Sequence, residues 1–591
     1  MRKREPIPPL SDLSLKEFLP KGIRGFILNI FRPAIEQLLG IRKMRKSYLD
    51  NDLSGLDKQE FSVRLLDLLG VKSIGDRNVL NKLPKNGSCI VVCNHPYGMI
   101  EGVVVARLLT SFRCDTKVMA NIGLKVFKEI EDYFIFANPL VPKSPLNSDA
   151  IKDCFKHLNK GGLLVIFPAG RVSFFQKDKQ RISDGEWNRL AVNLSRKTNT
   201  PILPVFISGT NSNLFHLLGR IYYRFRLLML IREMMKLKDK TIKLTAGNLI
   251  ENKKLSIFNK INQQNDFIRA ACYLNDEDYY VPWIETKTDK NLKNIIPKVS
   301  AEAIEEELAN LSDKQHLLNF KSFSVYYSYR SQTPNCVKEI TRLREITFRK
   351  LNEGSGEPSD TDRFDDSYMH LFIFDHKEKE IIGAYRIGLT DKLLKKGDLS
   401  NLYLSQMFNF SERFINQTKP CLEMGRSFIV EEHQNSFHGL MLLWKGIGAF
   451  VSQHPKYRTL YGTVSLSKLY DPRSVALINE VLVEEDNNVT GKKTFSYSLH
   501  PEILEFIDSS PLTPEQLSTF IMSIEVDGKD LPVLVKQYQK LGAIFHKIAI
   551  DKNFNDTPGL LLSVDLPKSP DKLLKLYLGK EKDKYLSYKS N

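Results

Sequence analysis

Cysteine is sparse and unpatterned. The seven cysteines, Cys89, Cys93, Cys114, Cys154, Cys272, Cys336 and Cys421, are odd in number, scattered, and never spaced as a CxxC pair. Neither a disulfide framework nor a zinc site is therefore predicted, and no metal is expected. No run of eighteen or so uncharged apolar residues occurs, which argues against a membrane-spanning helix. The opening MRKREPIPPL is charged but has no apolar segment behind it, so no secretory signal is expected. Gly-rich nucleotide-binding loops and nucleic-acid motifs are also missing, and no nucleic-acid partner is predicted.

What is present is ample material for burial and an excess of positive charge. At 591 residues, with 42% hydrophobic residues, the chain is too long for one ordinary core, so two or more domains are expected. A net charge of +17 points to anionic partners. Between Leu13 and Lys46 the segment GIRGFILNIFRPAIEQLLGIRKMRK interleaves Phe26, Ile27, Leu28, Ile30 and Phe31 with Arg24, Arg32, Arg42, Lys43, Arg45 and Lys46. It reads as a pair of amphipathic helices suited to an anionic membrane surface, or as ordinary helices packed on the following domain. A second basic, aromatic stretch, Leu214 to Lys238, has the same two readings.

The stretch Ile90 to Gly102, IVVCNHPYGMIEG, is an apolar run broken at Asn94-His95-Pro96. It predicts a buried strand with His95 at its end, where the crevice of an α/β fold opens and an imidazole can take a proton; a plain turn histidine is the alternative. Further runs at Leu163 to Phe167, Pro201 to Ile207 and Ile242 to Leu244, with helical segments Asp149 to Asn159 and Asn188 to Lys197 between them, predict an α/β domain.

Asn94-His95 with Glu101 downstream, then FPAGRVS (Phe167 to Ser173), then PILPV (Pro201 to Val205), resemble the first, third and fourth blocks of the glycerolphosphate acyltransferase superfamily. The resemblance implies acyl transfer to a hydroxyl, with His95 as general base and Glu101 orienting it. Five residues separate His95 from Glu101, where the family has four and an aspartate. Ala169 replaces the third block's glutamate, Val172 stands at its usual arginine, and Arg171 lies one residue earlier. Arg171 and Ser173 are carried over as substrate-binding residues.

Polar, lysine-rich sequence from Glu285 to Pro297 marks a linker, and Ser300 to Leu318 predicts a helix with Ser300 as N-cap. Beyond it, TRLREITFRKLNEGSG, DTDRFDDSYMHLFIFD, GAYRIG, LEMGRSFI and LLWKGIGAF resemble the GNAT-type N-acyltransferases that make acylated amino acids for ornithine lipids, relatives of acyl-homoserine-lactone synthases. This implies a catalytic Glu423 and substrate-binding Arg344, Phe348, Asp365, Arg386 and Arg426, with Asp365 on a substrate loop. Glu423 and Arg426 are an odd number of positions apart, so they share a face of a strand only if a bulge intervenes near Gly425. After Val430 the sequence EEHQNSFHG lacks the glycine-rich loop that cradles the CoA pyrophosphate, so acyl carrier protein, bearing a 4'-phosphopantetheine thioester, is the expected donor, and no tightly bound cofactor is expected.

Together the two resemblances imply a protein similar to fused ornithine-lipid synthases. The expected architecture is 1–50 membrane-associating helices, 51–285 a glycerolphosphate-acyltransferase-like α/β domain, 286–299 a linker, 300–566 a GNAT-like α+β domain and 567–591 a basic tail. The implied function is N-acylation of an amino acid by 3-hydroxyacyl carrier protein followed by O-acylation of the lyso-aminolipid. The expected location is cytoplasmic, peripheral on the inner face of the cytoplasmic membrane. Two alternatives stand beside it: a lysophospholipid-type O-acyltransferase with a non-catalytic second domain, and a non-enzymatic, haemolysin-like membrane-active protein.

Overall fold

The apolar runs become the middle of a sheet. The computed structural model describes residues 23–138, 144–222, 224–283, 292–395, 397–415, 420–434, 437–484 and 487–588. Residues 286–291 of the expected linker lie outside these residues, as does the start of the first amphipathic segment. The chain divides into two units, Met1–Tyr280 with Leu499–Lys529, and Val281–Ser498 with Asp530–Asn591.

In the first unit the strands are β1 (Lys72–Ile74), β2 (Cys89–Cys93), β3 (Lys117–Asn121), β4 (Phe134–Ala137), β5 (Leu163–Ile166), β6 (Phe174–Gln176), β7 (Arg181–Ser183), β8 (Ile202–Ile207) and β9 (Thr241–Ala246). Seven of them form one sheet in the order β1-β9-β8-β2-β5-β3-β4, parallel except between β8 and β9. The central strands β2, β5 and β8 are buried at every position, as uninterrupted apolar runs with both faces covered require. β6 and β7 pair separately as a ribbon directly after the FPAGRVS segment.

Two helices, Ile23–Leu38 and Ile41–Asp50, open the described chain; the second buries Met44 and Tyr48, while Ile30, Phe31 and Leu38 of the first are exposed. Between β8 and β9 the basic aromatic stretch forms two helices, Asn213–Ile221 and Arg224–Met235. Among the described residues no helix is long and apolar enough to cross a membrane.

The second unit adds β10 (His316–Phe320), β11 (Phe323–Tyr329), β12 (Met369–Asp375), β13 (Glu380–Leu389), β14 (Phe408–Phe410), β15 (Cys421–Ile429), β16 (Thr459–Ser465), β17 (Val489–Gly491), β18 (Ile544–Asp551) and β19 (Thr557–Asp565). Its main sheet runs β10-β11-β12-β13-β15-β16-β19-β18 and is antiparallel except for the β15–β16 pair. Helix Pro334–Lys350 packs on β13 and β15, and helix Phe437–Gln453 packs on β10 to β13. This second unit is mixed α+β, whereas the first is α/β.

Three expectations are corrected. The helix expected to run to Leu318 ends at Ala309, capped as predicted by Ser300 Oγ, and His316–Phe320 is a strand that pairs with β11. Residues 567–591, set apart as a basic tail, group with the second unit: Leu574 and Leu578 of helix Asp571–Leu578 are buried, and the Tyr585 hydroxyl donates to the Tyr457 carbonyl at 2.9 Å. The stretch 300–566 is not one continuous domain, because helices Pro501–Ser509 and Pro514–Ile524 belong to the first unit. They pack on helix Ile261–Tyr273, where Phe506 and Phe520 join Phe258 and Phe267, the last two stacked at 4.5 Å between centroids. Apolar content, not chain order, assigns them, since each buries aromatic surface worth more than its neighbours' connectivity can oppose. Phe520→Ala is expected to lower the stability of the first unit by about 3–5 kcal/mol, read as a drop in its thermal transition in the intact chain.

Candidate active sites

Pro96 stops β2 from continuing, and the chain turns at once. Asn94 locks the turn to β8, donating from Nδ2 to the Ile207 carbonyl at 2.9 Å and accepting the Ile207 amide at 2.7 Å. The next loop wraps a carboxylate: the amides of Tyr97, Gly98 and Met99 donate to Glu101 at 2.9, 2.6 and 3.1 Å. Glu101 is buried in the first turn of helix Ile100–Phe112, where the helix dipole favours an anion. Gly98 holds φ +93°, and a Cβ there would meet Leu230 Cδ2 at 2.8 Å, so the loop lies too close to its neighbours for a side chain.

This wrapping brings Glu101 Oε1 to 2.8 Å from His95 Nδ1 despite the extra intervening residue. Burial alone would lower the His95 pKa, but the charge and hydrogen bond of Glu101, helped by Asp184, raise it. Glu101 moves the opposite way: burial pushes it up, and His95 with the Gly98 amide brings it below the usual carboxylate range. With Nδ1 engaged, Nε2 is the nitrogen available as a base. His95 lines a cavity of about 120 Å³ with Met99, Val118, Leu124, Phe134 and Phe167, an apolar lining that suits an acyl chain.

Asp184, which no sequence motif marks, braces the loop from behind. It is fully buried and accepts the His95 amide at 3.1 Å, the Ser173 hydroxyl at 2.5 Å and the Trp187 indole N–H at 2.8 Å. The Ser173 amide returns a hydrogen bond to the His95 carbonyl at 2.8 Å. Ser173, expected to bind substrate, is thus a positioning residue: it is buried and its hydroxyl is committed to Asp184. Arg171 is exposed.

In the second unit a bulge decides the geometry. The two-residue step from Ala384 to Arg386 on β13 faces the three-residue step from Gly425 to Phe428 on β15, and Arg426 adopts φ +49°. The extra residue turns Arg426 to the side of Glu423, and both line one small cavity of about 30 Å³ with Tyr368, Arg386, Tyr403 and Thr463. The parallel pairing of β15 with β16 stops at Met424↔Gly462, beside this cavity.

Glu423 is buried and accepts the Leu404 amide at 2.7 Å and the Tyr368 hydroxyl. Burial pushes its pKa up to about 7, against the lowering effect of those hydrogen bonds and of Arg386. A carboxylate so poised suits proton transfer near neutrality.

The arginines and aspartates expected to meet substrate instead meet one another. Arg344 bonds Asp365 at 2.9 Å and Asp360 at 2.9 Å; Arg386 bonds Asp362 at 2.6 Å and Asp365 at 3.1 Å; Arg426 lies 3.3 Å from Asp360 and donates to the Tyr403 hydroxyl at 3.0 Å. Asp365 is fully buried, not on an open loop, and Phe348 packs edge-to-face on Phe554 in the core at 4.8 Å. Arg344, Asp365 and Phe348 do not line the cavity, which Arg386 and Arg426 reach.

Two family models match: "Acyltransferase" over residues 19–279 and "Acetyltransferase (GNAT) domain" over residues 343–445. A glycine N(alpha)-acyltransferase of Bacteroides thetaiotaomicron is 30% identical over 296 residues, covering 46% of this chain and 87% of that protein. The chain belongs to the aminolipid acyltransferase family. As in fused aminolipid synthases, an acyltransferase domain and a GNAT domain share one polypeptide. A lyso-glycine lipid O-acyltransferase of Phocaeicola vulgatus is 29% identical over 178 residues, 29% of this chain and 62% of that protein. An L-ornithine N(alpha)-acyltransferase of Agrobacterium fabrum is 26% identical over 227 residues, 37% of this chain and 72% of that protein. The chain is accordingly an acyltransferase of aminolipid synthesis.

Burial would raise the Asp365 carboxyl, but the charges of Arg344 and Arg386 hold it far below the usual range. A depressed acid pKa stabilises the fold above the unfolded value and loses that effect as pH falls below about 4. Asp365→Ala, which leaves two buried guanidiniums short of a partner, is expected to cost about 3–5 kcal/mol in denaturant unfolding of the second unit at neutral pH.

Proposed function

We propose that the chain is a bifunctional aminolipid synthase whose second unit N-acylates an amino acid and whose first unit O-acylates the product. The observation that carries this reading is the presence on one chain of two differently built proton acceptors, the His95–Glu101 pair at 2.8 Å and the isolated Glu423 with its pKa near 7.

In the second unit the α-amine attacks the thioester carbonyl of a 3-hydroxyacyl donor. Its proton passes to Glu423, directly or through water, and the pantetheine thiol departs. The end of β15–β16 pairing beside Glu423 supports entry of the pantetheine arm there. The missing glycine-rich loop after Val430 supports acyl carrier protein over CoA, and the +17 charge favours that acidic partner. Glycine is the favoured amino acid. The cavity is small, and Asp360, Asp362 and Asp365 are each committed to arginine, which leaves no aspartate of the network for a second ammonium such as that of ornithine. Similarity to the glycine N(alpha)-acyltransferase of Bacteroides thetaiotaomicron supports the same choice.

In the first unit His95 Nε2 removes the proton of the 3-hydroxyl as its oxygen attacks a second acyl thioester. Glu101 holds the imidazolium until its proton reaches the leaving thiolate. Nonpolar side chains around the 120 Å³ cavity support acyl-chain binding there. Exposed Ile30, Phe31 and Leu38 among basic residues support peripheral attachment to an anionic membrane, on the cytoplasmic side where carrier protein is found.

Two measurements test this. In lipid extracts of an aminolipid-free host, wild type yields diacylated aminolipid, His95→Ala yields only the mono-acylated form, and Glu423→Ala yields neither. Diacyl lipid persisting in the His95 variant removes the two-site assignment. With purified protein, N-acylation kcat is expected to rise about tenfold per pH unit below pH 7 and to level off above it, since the base must be deprotonated; a flat profile excludes Glu423 as the base.

A further inference from the structure

Beside the His95 loop stand three arginines that no carboxylate neutralises. Arg171 follows Pro168-Ala169-Gly170; Arg220 ends helix Asn213–Ile221; Arg226 lies in the first turns of helix Arg224–Met235. Among the described residues none of the three has an acid within salt-bridge distance, whereas the part-buried Arg113, Arg181, Arg232 and Arg269 of the same unit pair with Asp115, Glu502, Glu233 and Glu502. Glu233, the acid nearest in sequence to Arg220 and Arg226, is spent on the Ser212 amide and hydroxyl and on Arg232.

Aromatic faces hold two of the guanidiniums in place. Arg220 stacks on Phe175 at 3.6 Å and Arg226 on Phe174 at 4.2 Å, and Arg226 donates to the Gly219 carbonyl at 3.2 Å. Stacking fixes the planar fork while leaving N–H groups for an anion. Gly219 is required for this arrangement, because a Cβ there would meet Arg226 Nε at 2.6 Å. Burial and the neighbouring charge of Arg171 lower the Arg226 pKa, as expected of like charges gathered without a counter-ion.

The cluster adjoins the catalytic loop. Phe174 and Phe175 directly follow Ser173, whose amide bonds the His95 carbonyl at 2.8 Å. Leu230, one turn beyond Arg226 on the same helix face, meets Gly98 together with Val172. In an N-(3-hydroxyacyl) amino acid, the carboxylate is only six bonds, about 7 Å, from the hydroxyl to be acylated, so whatever recognises that carboxylate has to sit beside the base.

We propose that Arg171, Arg220 and Arg226 form an anion cradle that binds the carboxylate of the acceptor lyso-aminolipid and sets its 3-hydroxyl at His95. The proposal rests on the reading of the first unit as an O-acyltransferase of such lipids and adds the group by which that unit recognises its acceptor. Arg220 and Arg226 lie outside the Asn94-His95, FPAGRVS and PILPV blocks and would act as specificity residues.

The test uses the full chain with synthetic N-(3-hydroxypalmitoyl)glycine, its carboxamide, and lysophosphatidate as acceptors. Wild type is expected to have a KM about 10–100-fold lower for the acid than for the amide, the worth of one or two charge-assisted hydrogen bonds. Arg220→Gln, Arg226→Gln and Gly219→Ala are each expected to raise KM for the acid about tenfold or more, so that the preference for acid over amide collapses, with kcat changed less. Equal loss with both acceptors means a structural role and overturns the cradle. Turnover of lysophosphatidate in preference to the acid overturns the carboxylate assignment. If no acceptor is turned over, the reading of the first unit fails, and the cradle is judged separately by binding of acid and amide to His95→Ala: equal affinity rejects it. Binding to vesicles containing phosphatidylglycerol that falls in the arginine variants while KM for the acid stays constant assigns the cluster to the membrane instead and rejects the proposal.

Discussion

A carboxylate buried in protein is tolerable only if the chain supplies the hydrogen bonds that water would have given. Glu101 meets that demand with three successive backbone amides and one imidazole nitrogen. Much of the first unit is arranged around it. The Pro96 break, the tight approach at Gly98, the clamp of Asn94 to β8 and the brace of Asp184 all serve to deliver those amides and that ring to one point. Residues far apart in sequence are thereby coupled: loosening Asp184 would shift His95 and Ser173 together, since both hang from the same oxygen.

The second unit treats its central acid in the opposite way. Glu423 receives two hydrogen bonds but, among the described residues, no ion-pair partner, and its proton affinity rises to suit exchange near neutrality. Charge in that region is confined to a neighbouring lattice of three arginines and three aspartates, each fixing the others. Such a lattice holds strands and the bulge of β15 in register and balances the two arginines that reach the cavity against aspartates. One unit thus sets its buried acid against an imidazole, and the other surrounds its acid with hydrogen-bond donors.

In the first unit the central strands and the strand end at which His95 sits were legible from sequence, because uninterrupted apolar runs punctuated by proline or glycine have few alternatives. The bulge at Gly425-Arg426 was legible only as a condition. Two residues three apart had to share a face for both to serve one site, and the left-handed Arg426 is what satisfies it. The protein partners of Ser173, Arg344, Asp365 and Phe348 were not legible, because a polar or aromatic residue type does not reveal what folding brings against it. Asp184 was invisible for a related reason: its importance comes from three partners brought together by folding, and nothing in ISDGEWN announces them. The return of Leu499–Lys529 to the first unit was equally hidden, since an amphipathic helix advertises an apolar face but not its destination.

That return has a consequence for synthesis. Phe506 and Phe520 complete an aromatic cluster whose other members, Phe258 and Phe267, leave the ribosome some 240 residues earlier in the chain. The first unit cannot close its core as soon as its own sequence has emerged; it waits, with that apolar face open, while nearly all of the second unit's strands are made. A cut at the linker would leave the first unit without those two helices. Chain continuity makes production of the two units stoichiometric, and a ribosome that stops early releases a first unit whose aromatic cluster is incomplete.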